Sequence, residues 1–153
     1  ESGTFQKAYF QISASLFGNR FRESKSLMQE WRQRPLQNTL EDFSLRIMEI
    51  RLHWTRAESD FLSSRIEALR KYTERHRHEP GFRESYWLFV RLLSCLSRCW
   101  FDFSQVLERH RQDLQDLRDM QIQEGVDLVF AYEPCWIFFE QKRFEAPFET
   151  RPY

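Results

Sequence analysis

The stretch from Phe82 to Leu117 constrains the fold more than any other part of the chain. Its large side chains fall at Phe82, Tyr86, Phe89, Leu93, Leu96, Trp100, Phe103, Leu107, Leu114 and Leu117, and His110 fills the one polar step in the series. The spacings alternate four and three throughout. This repeat lays an apolar seam along a helix and matches a heptad pattern, with side chains on one face meeting a neighbouring helix. Pro80-Gly81 punctuates its start and Gly125 its end, so the spacing predicts a helix over about 82–124. In its first half Trp87, Leu88, Val90, Leu92, Cys95 and Cys99 add a second apolar face. A helix apolar nearly all round has to be enclosed by neighbours. Beyond Phe103 the pattern narrows to one stripe, so that end is expected to be more exposed.

Two earlier segments carry related patterns. Asn38-Thr39-Leu40-Glu41 reads as a capping box, with Asn38 as N-cap, Glu41 at the third helical position and Asp42 adding charge to the first turn. From there a stripe runs Phe43, Ile47, Ile50, Trp54, Ala57 and Phe61, then changes phase to Leu62, Ile66 and Leu69. Leu45, Met48 and Leu52 form a second stripe on the opposite side. No Gly or Pro interrupts this region, which predicts one continuous helix over about 39–79, on the order of 60 Å long. The first segment, about 4–34, places Phe10, Ala14, Phe17, Phe21, Met28 and Trp31 on heptad spacing, with Phe5, Tyr9, Ile12 and Leu16 on a neighbouring stripe. Gly18-Asn19 is a potential interruption, and Pro35 marks the turn that follows.

These patterns predict an all-α fold: an elongated antiparallel three-helix bundle or coiled coil, forming a single helical domain across residues 1–153. A C-terminal aromatic strap or short fourth helix occupies 126–153. The composition agrees, since four Gly and five Pro are too few for a loop-rich β fold, and 16% aromatic residues argue against disorder despite 30% charged residues. Cys95, Cys99 and Cys135 make no disulfide framework. Cys95 and Cys99 read as small apolar fillers in a reducing compartment, so an intracellular, cytoplasmic setting is expected. The window from Tyr86 to Phe103 approaches the length of a membrane span but contains Arg91, Arg98 and Asp102, and reads as a buried helix instead.

The chain is neutral overall, with 23 basic and 23 acidic groups. Nineteen of the basic residues are Arg and only four are Lys, a bias suited to bidentate pairing and ring stacking. No phosphate loop, metal-binding His motif or nucleophile elbow is present, so the chain reads as non-enzymatic, with no cofactor and no metal. His76 and His78 are too close along one helix to chelate one ion and sit in a last turn, where they suit the helix dipole. His110, on the seam, reads as a polar core residue that sets helix register. Asp113, Asp116, Asp119, Glu124 and Asp127 read as partners for Arg32 and Arg34 across the bundle.

Two binding surfaces are expected. Arg70, Lys71, Arg75, Arg77 and Arg83 gather around the turn near Pro80 as a basic tip. Trp136, Ile137, Phe138 and Phe139 are four consecutive large apolar residues, and Phe144, Phe148 and Tyr153 add further anchors of the type enriched at interfaces. The functional expectation is a protein-protein interaction or scaffold module that dimerises or binds a partner subunit through those C-terminal rings. The alternative is a peripheral, curvature-binding membrane module that sets its Arg-rich tip on anionic lipid. Nucleic acid is disfavoured, because no aromatic platform interleaves the charges of the tip.

Overall fold

The computed structural model describes residues 2–34, 38–56 and 58–124, without the side chains of 2–6, 13, 17, 55, 59, 103, 121 and 124. The described residues form an all-α structure of seven helices: α1 Ser2–Phe17, α2 Phe21–Arg32, α3 Thr39–Thr55, α4 Ser59–His76, α5 Glu84–Arg98, α6 Phe103–Arg109 and α7 Arg111–Glu124. Each of the three long helices expected from the sequence is thus divided. α1 folds back on α2, α3 on α4 and α5 on α7, while α6 and α7 are separated by His110 alone. The longest helix, α4, has 18 residues and spans about 27 Å, less than half of the length expected for 39–79.

Each reversal has a local cause. Between α1 and α2, Asn19 takes a left-handed conformation (φ 57°), which Asn tolerates better than most residues. The Ser15 and Ser24 hydroxyls then meet at 2.6 Å across the hairpin. Between α3 and α4 the chain turns after Arg56, and the Glu58 amide donates to the His53 carbonyl. Contacts of residue 49 with 65, 46 with 72, and 39 with 79 follow the antiparallel register of these two helices. The phase change at Leu62 is the sequence trace of this reversal. Between α4 and α5, Gly81 supplies a positive φ of 85°. Between α5 and α6 the left-handed residues are Trp100 (φ 55°) and Phe101 (φ 60°), bulky residues for which that region is costly. Asp102 then caps α6 by accepting from the Ser104 amide.

Helix α3 lies between two apolar clusters and serves both. Phe43, Ile47, Ile50 and Trp54 pack with residues of α4, α5 and α7, among them Leu62, Ile66, Leu69, Phe89, Leu93, Leu96 and Leu117. Leu45, Met48 and Leu52 point the other way, to Tyr9, Ile12, Leu16, Met28 and Trp31 of α1 and α2. The two stripes read from the sequence are these two faces. Each buried Leu, Ile or Phe contributes about 1.5–3 kcal/mol. The Asn38 side chain accepts from the Glu41 amide at 2.8 Å and begins α3, as the capping pattern predicts.

The fold-back corrects several seam assignments. Phe10 and Ala14 do not lie on the buried stripe of α1: Phe10 is exposed, and Tyr9, Ile12 and Leu16 are the buried set. A reversal at residues 18–20 removes the helical continuity on which the Phe10–Phe21 phase relied. Trp100 is also out of the core. The left-handed pair rotates it into solvent and buries Phe101 against Trp54, with ring centroids 5.7 Å apart. Helix α5 is enclosed, as its two apolar faces require, and among the described side chains of α7 the buried ones are the single stripe of Leu114 and Leu117.

Candidate interaction site

The antiparallel α4–α5 hairpin has two ends of different chemistry. One is the basic tip of the sequence reading, where α4 ends and α5 begins. There Arg77 donates to Glu84 at 2.6 Å and lies over the Trp87 ring at 3.6 Å. His76 Nδ1 is 2.6 Å from Glu79, whose other carboxylate oxygen accepts from Thr39 Oγ1 at 2.6 Å. These two hydrogen bonds, from Thr39 and then from His76, hold the Glu79 carboxyl below its ordinary value of 4.5. Arg75 stands over the face of Tyr72 at 6.0 Å. The Tyr72 hydroxyl donates to the Thr39 carbonyl, and its burial pushes the phenol well above the usual range. Arg83 is half-buried at the N-cap of α5, and Lys71 is exposed on α4. Arg70 is not at the tip. It sits farther down α4, gripped by Glu67 through three hydrogen bonds of 2.7–3.2 Å.

The other end collects aromatic residues. His53 stacks on Phe61 at 5.6 Å with a 17° interplanar angle. Ser63 and Ser97 hydroxyls approach to 3.3 Å and bring the start of α4 beside the end of α5. Trp54 and Phe101 pack beneath. Phe61 and Trp100 therefore share this pole, and each is 58% exposed. The sequence reading placed both rings on buried seams. A left-handed turn at a Trp-Phe pair has no propensity signature, so periodicity alone could not locate this surface.

Two grooves lie along the helices. One, of about 440 Å³, runs between α2, α3 and α4 and contains Lys25, Arg32, His53, Arg56, Glu58, Phe61 and Arg65. Each of its Arg side chains has a carboxylate partner: Glu49 takes Arg32 on one side and Arg65 on the other, and Glu58 takes Arg56. The second, of about 420 Å³, lies between α4 and α5 and reaches His110.

His110 is not a core register residue. It caps the end of α6, is half-buried, and faces Asp113 at 3.6 Å. The short α6 takes the chain out of the straight seam, so position 110 no longer meets the core. Nor do Asp113, Asp116 and Asp119 pair with the first segment among the described residues, which do not include Asp127 or the side chain of Glu124. Asp116 accepts from Gln112 and Asp119 from Gln115, while Arg32 turns to Glu49 and Arg34 to the Trp31 ring. Cys95 and Cys99 are free thiols, and burial raises Cys95 above its ordinary pKa. Among the described residues no helix is long and apolar enough to cross a membrane. Trp136, Ile137, Phe138, Phe139, Phe144, Phe148 and Tyr153 lie outside the described residues. Comparison with protein-family models finds no match, and neither do comparisons with curated proteins or with solved structures.

Proposed function

We propose that the chain is a non-enzymatic helical interaction module that engages a second copy of itself or a partner subunit through the Phe61–Trp100 pole. The supporting observation is Trp100 itself. Two consecutive bulky residues adopt left-handed backbone, and the larger ring is the one turned to solvent. Strain of this kind persists where the surrounding structure enforces it and is concentrated at functional positions. Trp is also the residue type most enriched among binding hot spots. The C-terminal rings from Trp136 to Tyr153 belong to the same proposal as additional anchors. The membrane alternative has less support, since Arg77 and His76 at the tip are already engaged by Glu84 and Glu79.

Sedimentation of the full chain at micromolar concentration tests the self-association form of this reading. The expected species has about twice the 18.9 kDa of one chain. Replacing Phe61 and Trp100 with Ser should return it to a monomer while leaving the far-ultraviolet circular dichroism intact. A parent protein that is monomeric throughout contradicts self-association. A dimer indifferent to both substitutions removes the pole from the interface.

A further inference from the structure

The α4–α5 groove differs from the other groove in how its Arg side chains are paired. Arg70 of α4, Arg91 and Arg98 of α5, and His110 at the α6–α7 junction line it, and Glu74 is the one carboxylate among its lining residues. Glu74 is turned to the Trp87 indole, whose Nε1–H donates to it at 3.4 Å. Among the described residues no carboxylate lies within ion-pair distance of Arg91 or Arg98; the nearest recorded neighbour of the Arg91 guanidinium is the Trp87 ring at 5.5 Å. Arg70 spends part of its donor fork on Glu67 and retains further N–H groups.

The floor of the groove is polar. Ser94 lines it with a hydroxyl on a residue only 4% exposed. Cys95, one residue on, keeps its proton at neutral pH because burial raises its pKa, and so adds no competing anion.

We propose that this groove is a binding site for a small soluble molecule carrying two or more phosphate groups, held by Arg91, Arg98 and Arg70 with Ser94 donating from the floor. Phosphate is favoured because guanidinium donors match its oxygens in bidentate geometry. More than one group is needed for reasons of spacing. Arg91 and Arg98 are seven residues apart on α5, about 10 Å along the axis, which a single phosphate does not span. A groove of about 420 Å³ is also in the range of sites that enclose metabolite-sized ligands. This inference does not depend on the Phe61–Trp100 pole.

Calorimetric titration of the full chain with tripolyphosphate is the test, with orthophosphate for comparison. Saturable binding of tripolyphosphate, tighter than that of orthophosphate, is expected. The combined substitution Arg91→Gln and Arg98→Gln should weaken it at least about tenfold, the scale of a lost hydrogen bond between charged groups. Both side chains are exposed, so the variant should melt like the parent. Ser94→Ala should also weaken binding without altering charge, as a diffuse positive field would not require. Arg56→Gln, in the other groove and paired with Glu58, is the control and should leave affinity unchanged. Absence of saturable binding by the parent overturns the site. So does an unchanged affinity in the double variant, or a loss equally large in Arg56→Gln.

Discussion

The two ends of the α4–α5 hairpin are built on opposite terms. At the α4 C-terminal end, Arg77 and His76 meet Glu84 and Glu79, and Thr39 completes the network from α3. At the other end, Phe61 and Trp100 stand in solvent above a packed Trp54–Phe101 pair. The charged end resembles a binding surface in the sequence because its cations are adjacent along the chain. In three dimensions Glu84 of α5 meets Arg77 and Glu79 of the turn meets His76. The aromatic end is inconspicuous in the sequence, yet its rings remain uncovered. Counting residues of one kind therefore identifies where charge is, and only the fold identifies where interaction capacity is left over.

The sharpest way to break that comparison is at the adjacent residues Phe101 and Trp100, which share a backbone conformation and differ in burial. Phe101→Ala empties a buried site and should cost about 3–5 kcal/mol in urea unfolding. Trp100→Gly removes a solvent-facing ring from a left-handed position and should raise stability by about 1 kcal/mol. If Trp100→Gly instead costs as much as Phe101→Ala, the Trp ring is structural and the two ends are alike. At the charged end the effects should be smaller. Asn38→Ala removes the cap that starts α3 and should cost about 1 kcal/mol in the same assay.

The smallest effect concerns acid. Glu79 has a folded pKa below its unfolded value of 4.5, so its contribution is present above 4.5 and is lost as pH falls through the folded value. Glu79→Gln should therefore lower the urea midpoint slightly at neutral pH and flatten its fall on acidification below 4.5. The group is exposed and screened, which keeps the change small. An acid limb identical in parent and variant would mean that the Thr39–Glu79–His76 network contributes nothing to this end.

Helical content, the Asn38 cap and the double-faced character of α3 were legible because each depends on local chemistry or on period within one helix. Leu45, Met48 and Leu52 lie opposite Phe43, Ile47 and Ile50 wherever the chain goes next, so the need for two cores was already in the sequence. The reversals were not equally visible. A heptad stripe reads the same whether a helix continues or folds back onto an antiparallel neighbour, because both arrangements bury one side every three or four residues. Gly18-Asn19 and the change of phase between Phe61 and Leu62 were the direct traces. At Trp100 the spacing fitted a straight seam perfectly, and a turn made by two aromatic residues contradicts local preference. The groove was hidden for a related reason. Arg91 and Arg98 counted in the sequence only as charges that interrupt an apolar window, and their alignment with Arg70 depends on the α4–α5 register.

The fold-back of residues 39–79 brings Trp54 of α3 beneath the aromatic pole and lets one helix pair serve two cores, and a distance measurement tests it directly. Spin labels introduced at Glu41 and Arg75 report whether α3 and α4 lie side by side. Packed antiparallel helices, with axes about 8–10 Å apart, should give a double electron–electron resonance distribution centred below about 25 Å. A continuous helix through residues 56–58 would separate the labels by about 50 Å, and that result would contradict the hairpin and with it the packing beneath the aromatic pole.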